Sequence, residues 1–124
     1  MELVRREARR VSTTPNAAMT TLASPTLGRA HQTLWLVRME QGASGPEHAF
    51  TTEVLWSITE GSAEVVTTTG VMTLTAGDTV VLPAGEFRRF SPGPEGFTAV
   101  ATTSTPTSVR RPDVDDEVVP PWVC

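Results

Sequence analysis

The chain has 124 residues, 39% hydrophobic and 19% charged, with 10 basic and 14 acidic side chains and a net charge of −4. That length makes one domain with a single modest core. No apolar run approaches the ~20 residues of a membrane span. Net acidity leaves no basic footprint for a phosphate backbone, so neither a membrane nor a nucleic acid is expected as a partner.

The first ten residues, MELVRREARR, mix Glu2 and Glu7 with arginines and are followed by no apolar stretch, so no secretory leader is expected. The single cysteine, Cys124, excludes an internal disulfide framework and fits a reducing cytoplasm. All ten basic residues are arginine, a bias that points to a GC-rich bacterial genome. Residues 1–33, punctuated by Pro15 and Pro25, read as an extended N-terminal arm, with room for a short helix around Leu3–Arg10.

From Leu34 the pattern changes. Trp35, Val37 and Met39 alternate with polar or outward positions, the period of a half-buried strand. After a loop at Gly42, Gly45 and Pro46, strands are expected at His48–Phe50 and Val54–Ile58. Glu60-Gly61-Ser62 reads as a turn, and Ala63–Thr68 and Val71–Thr75 form a hairpin about Gly70. Asp78–Leu82 is closed by Pro83-Ala84-Gly85, and Arg88–Phe90 and Phe97–Thr102 complete the set. About eight short strands with frequent turns predict an all-β barrel or sandwich over residues 34–103. The tail, residues 104–124, is rich in Pro and acid but carries Val118, Val119 and Trp122. It is expected to pack on its own barrel or on a partner subunit.

Two stretches resemble the paired motifs of the cupin superfamily. In the first, Gly42 is followed by five residues, His48 and a strand running to Gly61. In the second, GDTVVLPAGEFRRF, Gly77 leads after five residues to Pro83 and then Gly85. The resemblance implies a cupin-type jelly-roll barrel. In metal-binding cupins the first motif supplies two histidines and a glutamate, and the second a third histidine. Here those positions hold His48, Phe50, Val54 and Arg88. Glu53 lies one residue early, and strand parity turns it away from His48. One histidine cannot supply the three or four donors of a tight divalent site, and an inward arginine repels the ion. No metal or other cofactor is therefore expected. His31, the only other histidine, falls in the arm.

The resulting interior would be lined by Trp35, Val37, Met39, His48, Phe50, Val54, Trp56, Ile58, Arg88 and Phe90: an apolar, aromatic wall with two convergent polar groups. Arg88 needs a partner there, from Glu86, Glu53, a bound anion or solvent. Three functions fit this residue set. A metal-independent pocket would bind a small carboxylate or carbonyl-bearing molecule oriented by Arg88. An isomerase, cyclase or lyase would use His48 as base and Arg88 to stabilise an oxyanion, as its catalytic pair. A structural barrel would fill its own cavity and act as a homodimer, a state expected for this fold because open edge strands invite pairing.

Overall fold

The computed structural model describes residues Met1–Cys124. Runs of β-branched and aromatic residues form nine strands: β1 (Arg10–Thr13), β2 (Ala18–Ala23), β3 (Gln32–Met39), β4 (Ala49–Phe50), β5 (Val54–Thr67), β6 (Gly70–Thr75), β7 (Thr79–Leu82), β8 (Arg88–Ser104) and β9 (Val109–Arg110). Helix is confined to two three-residue 3-10 turns, Arg6–Ala8 and Pro121–Val123. No helix is long and apolar enough to cross a membrane. The strands pair antiparallel in the order β1-β2-β3-β8-β5-β6, with β7 also on β5, and β4 and β9 form a separate two-stranded ribbon. The architecture is all-β, a jelly-roll barrel as expected.

Two long strands carry the barrel. β5 (14 residues) and β8 (17 residues) pair along nearly their whole lengths, Val54 facing Thr103 at one end and Thr67 facing Arg88 at the other. Across β3, β8 and β5 the inward residues line up in rows: Trp35, Ala101 and Trp56; Val37, Ala99 and Ile58; Thr33, Thr103 and Val54. Bulky side chains on the outer two strands meet over alanines on the middle one, which lets both indoles enter one core. All of these residues are buried. The apolar members of these rows join Met39, Phe50, Phe90 and Phe97 in one contiguous hydrophobic cluster.

The segment Glu60-Gly61-Ser62, read from sequence as a turn, does not end a strand. It lies within β5, where the β8 register shifts between Ile58 and Glu60 and again between Gly61 and Ala63. Gly61, which faces Phe97 on β8, has φ +74°, and Gly96, next to Phe97, has φ +71°. A Cβ on Gly61 would run into the carbonyl oxygen of Gly96, and one on Gly96 into that of Met39. The bend is thus made by close backbone approach at two positive-φ glycines, and pairing resumes beyond it with Ala63 facing Pro92.

The chain ends also differ from expectation. Residues assigned to an arm make β1 and β2, and β2 pairs with β3 from Ala18 facing Arg38 to Ala23 facing Leu34. Alternation hid there among threonines and alanines, of which Thr21 and Met19 are buried. The tail packs on its own barrel: Val118 and Val119 are exposed, but Trp122 is half-buried against the core and Val123 is buried in it. Hydroxyls grip the backbone around it: Thr21 Oγ1 donates to the Trp122 carbonyl at 2.9 Å and Thr33 Oγ1 to that of Val123 at 2.8 Å. Arg10, Ser24 and Thr26 all donate to the Cys124 oxygen, at 2.8, 2.8 and 2.7 Å.

Gly61→Ala combines a positive φ with a collision against backbone, so it should destabilise by about 3 kcal/mol. Urea denaturation should show the lower midpoint with an unchanged slope.

Candidate functional site

Arg88 opens β8, and its backbone is clamped to the residue before β4. The His48 N–H donates to the Arg88 carbonyl at 3.1 Å, and the Arg88 N–H to the His48 carbonyl at 2.9 Å. Strand parity then does the sorting. Arg88 and Phe90 are buried inside, and Arg89 is exposed outside.

The Arg88 side chain has no exposed surface, and none of its three guanidinium nitrogens has a hydrogen-bond partner. The only ion pairs in the structure are Arg29–Glu2 and Arg38–Glu40, both at the surface, so neither expected carboxylate pairs with Arg88. Glu53 is exposed, as parity required, and only its backbone carbonyl is engaged, by Thr103 Oγ1. Glu86 acts on Arg88 through charge alone. The nearest compensation is aromatic: Cζ lies 4.9 Å from the centroid of the Phe50 ring, a cation–π contact. Burial pushes the guanidinium down to about 10, partly opposed by Glu86. Arg88 therefore stays protonated at neutral pH.

His48 takes the opposite state. Its Nδ1 lies 2.8 Å from the Pro46 carbonyl oxygen, which can only accept, so Nδ1 carries the proton and Nε2 the lone pair. Burial, then the charge of Arg88, push the imidazole from 6.5 down to about 4. Its ring meets Phe50 edge-on at 5.8 Å, and Phe50 stacks on Trp35 at 6.1 Å. On the other wall Trp56 stacks on Phe90 at 4.0 Å, with Phe97 tilted 6.1 Å from Trp56. The Trp56 indole Nε1 is buried and has no partner.

All ten residues expected in the interior are inward or buried there: nine are buried, and His48 is partly exposed. Val37, Met39, Val54 and Ile58 serve as packing in the shared core. Phe97, Ala99 and Ala101 are equally part of this wall and were missed. Their strand was recognised, and parity with Phe97 would have found all three. His31 is exposed, and its carbonyl holds Thr105. Two surface depressions flank the site. One of about 270 Å³ lies against Phe50, Gly85, Arg110 and Glu117, and the other of about 260 Å³ against Glu47, Thr67, Phe87 and Arg89. Arg88 lines neither and sits behind Phe50.

The fold family is associated with metal centres, and the donors here do not fit one. No three His, Cys, Asp or Glu side chains come together anywhere in the chain. At the motif positions a lone imidazole stands beside an uncompensated cation.

Structural comparison bears on the fold. The chain superposes on a cupin described as RmlC-like from Shewanella frigidimarina with TM-score 0.68 at 21% identity, over 82% of this chain and 88% of that one. A protein described as a cupin-superfamily sugar phosphate isomerase from Silicibacter pomeroyi gives 0.67 at 24%, over 88% and 79%. An oxalate decarboxylase variant of Bacillus subtilis gives 0.71 at 14%, over 79% of this chain, which spans only 28% of that larger protein. No protein-family model and no curated protein matches the sequence. The chain has the cupin fold.

Two measurements check these charge states. Folded His48 binds its proton only near pH 4, whereas the unfolded side chain does so near 6.5. Stability is therefore complete above pH 6.5 and falls as pH drops through 6.5 towards 4. His48→Gln should lose that dependence, on the order of 2 kcal/mol across the window, as read from urea midpoints at each pH. Arg88→Met removes an unpaired buried charge while keeping its volume, so the ligand-free protein should gain about 1–3 kcal/mol.

Proposed function

We propose that this chain is a metal-independent small-molecule-binding barrel, and that its ligand presents a carboxylate or an equivalent oxyanion to Arg88. One observation carries the reading. A guanidinium with no exposed surface and no hydrogen bond is among the least favourable groups a core can hold. A carboxylate is the acceptor whose planar, bidentate shape and charge match it. A ring such as Phe50 attracts a cation but offers no lone pair, so its contact leaves all the N–H groups unspent.

A second reading, a barrel filled by its own side chains, draws support from the close Trp56–Phe90 stack and from Phe50 lying on Arg88. The catalytic variant, with His48 as base, has the required free Nε2 lone pair. A conjugate acid near pH 4 makes a weak base at neutrality. An anion on Arg88 would cancel part of the charge that depresses it, so proton transfer would depend on the ligand being bound. A homodimer fits the open edges β1 and β6, the latter with Val71 and Met72 exposed.

Native mass spectrometry of untagged protein, purified without chelator, tests the reading together with calorimetric titration of small carboxylates. The expected result is a retained organic mass or a titratable carboxylate, with affinity reduced at least about 100-fold in Arg88→Met. Equal binding by wild type and Arg88→Met removes Arg88 as the anchor and with it the carboxylate reading, and no binding by either favours the self-filled barrel. A stoichiometric metal overturns the reading outright.

A further inference from the structure

Arg88 is not the only donor left idle in the barrel. The Trp56 indole nitrogen is buried within a residue only 6% exposed, and it too lacks a partner. Buried indole N–H groups ordinarily find an acceptor. Apart from Arg10 Nε near the tail, every buried side-chain polar atom without a partner belongs to Arg88 or Trp56. Two residues of one core therefore account for nearly all of the interior's unmet hydrogen bonding, and both are donors only.

Their placement is fixed by strong elements. Arg88 and Phe90 share the inner face of β8, a two-residue step of roughly 7 Å, and the Trp56 ring lies flat on Phe90, 4.0 Å away. Phe90 thus links the two donors, the charged one its neighbour along β8 and the neutral one its stacking partner.

Resting on the carboxylate reading above, we propose that the site is two-point and that its ligands are oxo acids. Their carboxylate takes Arg88, and a neutral carbonyl oxygen further along the molecule accepts from Trp56 Nε1. A dicarboxylate fits less well, because Arg88 is the single cation of the interior and a second negative charge would find only a neutral N–H. A hydrocarbon tail fits less well for the converse reason, since it would leave the indole unpaired. The neutral His48, with its lone pair on Nε2, adds an acceptor beside the carboxylate and no further charge.

The test titrates the full chain with two pairs of probes that differ by one carbonyl: benzoate against 4-acetylbenzoate, and pentanoate against 4-oxopentanoate. In wild type the oxo member of at least one pair should bind about tenfold more tightly, the worth of one hydrogen bond to a buried donor. Trp56→Phe keeps the stack on Phe90 and removes only the N–H. It should erase that preference, bringing the oxo member's affinity down to that of its plain partner. The indole 1H–15N resonance of Trp56, identified by its absence in Trp56→Phe, should shift with the oxo probe far more than with its partner, which tests the contact in wild-type protein. Equal affinities within both pairs, a preference that survives Trp56→Phe, or an indole resonance indifferent to the carbonyl would overturn the two-point site and leave Arg88 as a simple carboxylate anchor. Failure of all four probes to bind, or undiminished binding in Arg88→Met, would instead remove the carboxylate reading and this inference with it.

Discussion

The structure depends on the pairing of β5 with β8, because each strand contributes to both halves of the barrel. A flat pair of that length would splay the two halves apart. At Gly61 and Gly96 the backbones come close enough to exclude any side chain, and the ladder resumes beyond the bend with Ala63 facing Pro92. Ala99 and Ala101 then leave room over β8 for Trp35, Val37, Trp56 and Ile58 to converge from either side. Small residues in the middle strand are the condition for large ones in the core. The same alternation along β8 carries Arg88 and Phe90 into the interior.

Placing Arg88 there has electrostatic consequences for its neighbour. A guanidinium without a counter-ion raises the free energy of any second cation nearby, and His48 is held beside it by a reciprocal backbone bridge. The imidazole responds by staying neutral and using its one proton on the Pro46 carbonyl. Aromatic rings do the remaining screening, Phe50 over the cation and Trp35 behind Phe50. The result is an interior of single positive charge, short of acceptors. An ordinary packed core would have neither property.

Much of this was legible in the sequence, for definite reasons. Period-two alternation at Trp35, Val37 and Met39, and the two spaced glycine-proline motifs, located the barrel strands and the inward set. Strand parity correctly turned Glu53 outward. What escaped notice lacked an apolar signal. β1 and β2 are built largely from threonine, serine and alanine, whose burial depends on what the tail lays over them. Gly61 sits in a Glu-Gly-Ser string that looks like a turn, and only its close approach to Gly96 reveals a bend inside a strand. In the tail Val118 and Val119 carried the apolar weight, yet Val123 is the residue that enters the core. The absence of a partner for Arg88 was likewise beyond the sequence, since Glu86 lies two positions away and fails to reach it.

The hydroxyl clasp on the tail has a consequence of its own. Thr21, Thr33, Ser24 and Thr26 hold main-chain oxygens of Trp122, Val123 and Cys124, so they recognise a path of backbone more than a set of side chains. Residues nearly a hundred positions apart are sewn along one seam, with Val123 and the neighbouring Trp122 as its hydrophobic studs. Mutational drift can therefore rewrite the tail's other letters cheaply, while shortening the polypeptide from either side unpicks the same stitches. First and last segments form one cooperative unit, late to assemble because so much intervening chain must be ordered before they meet.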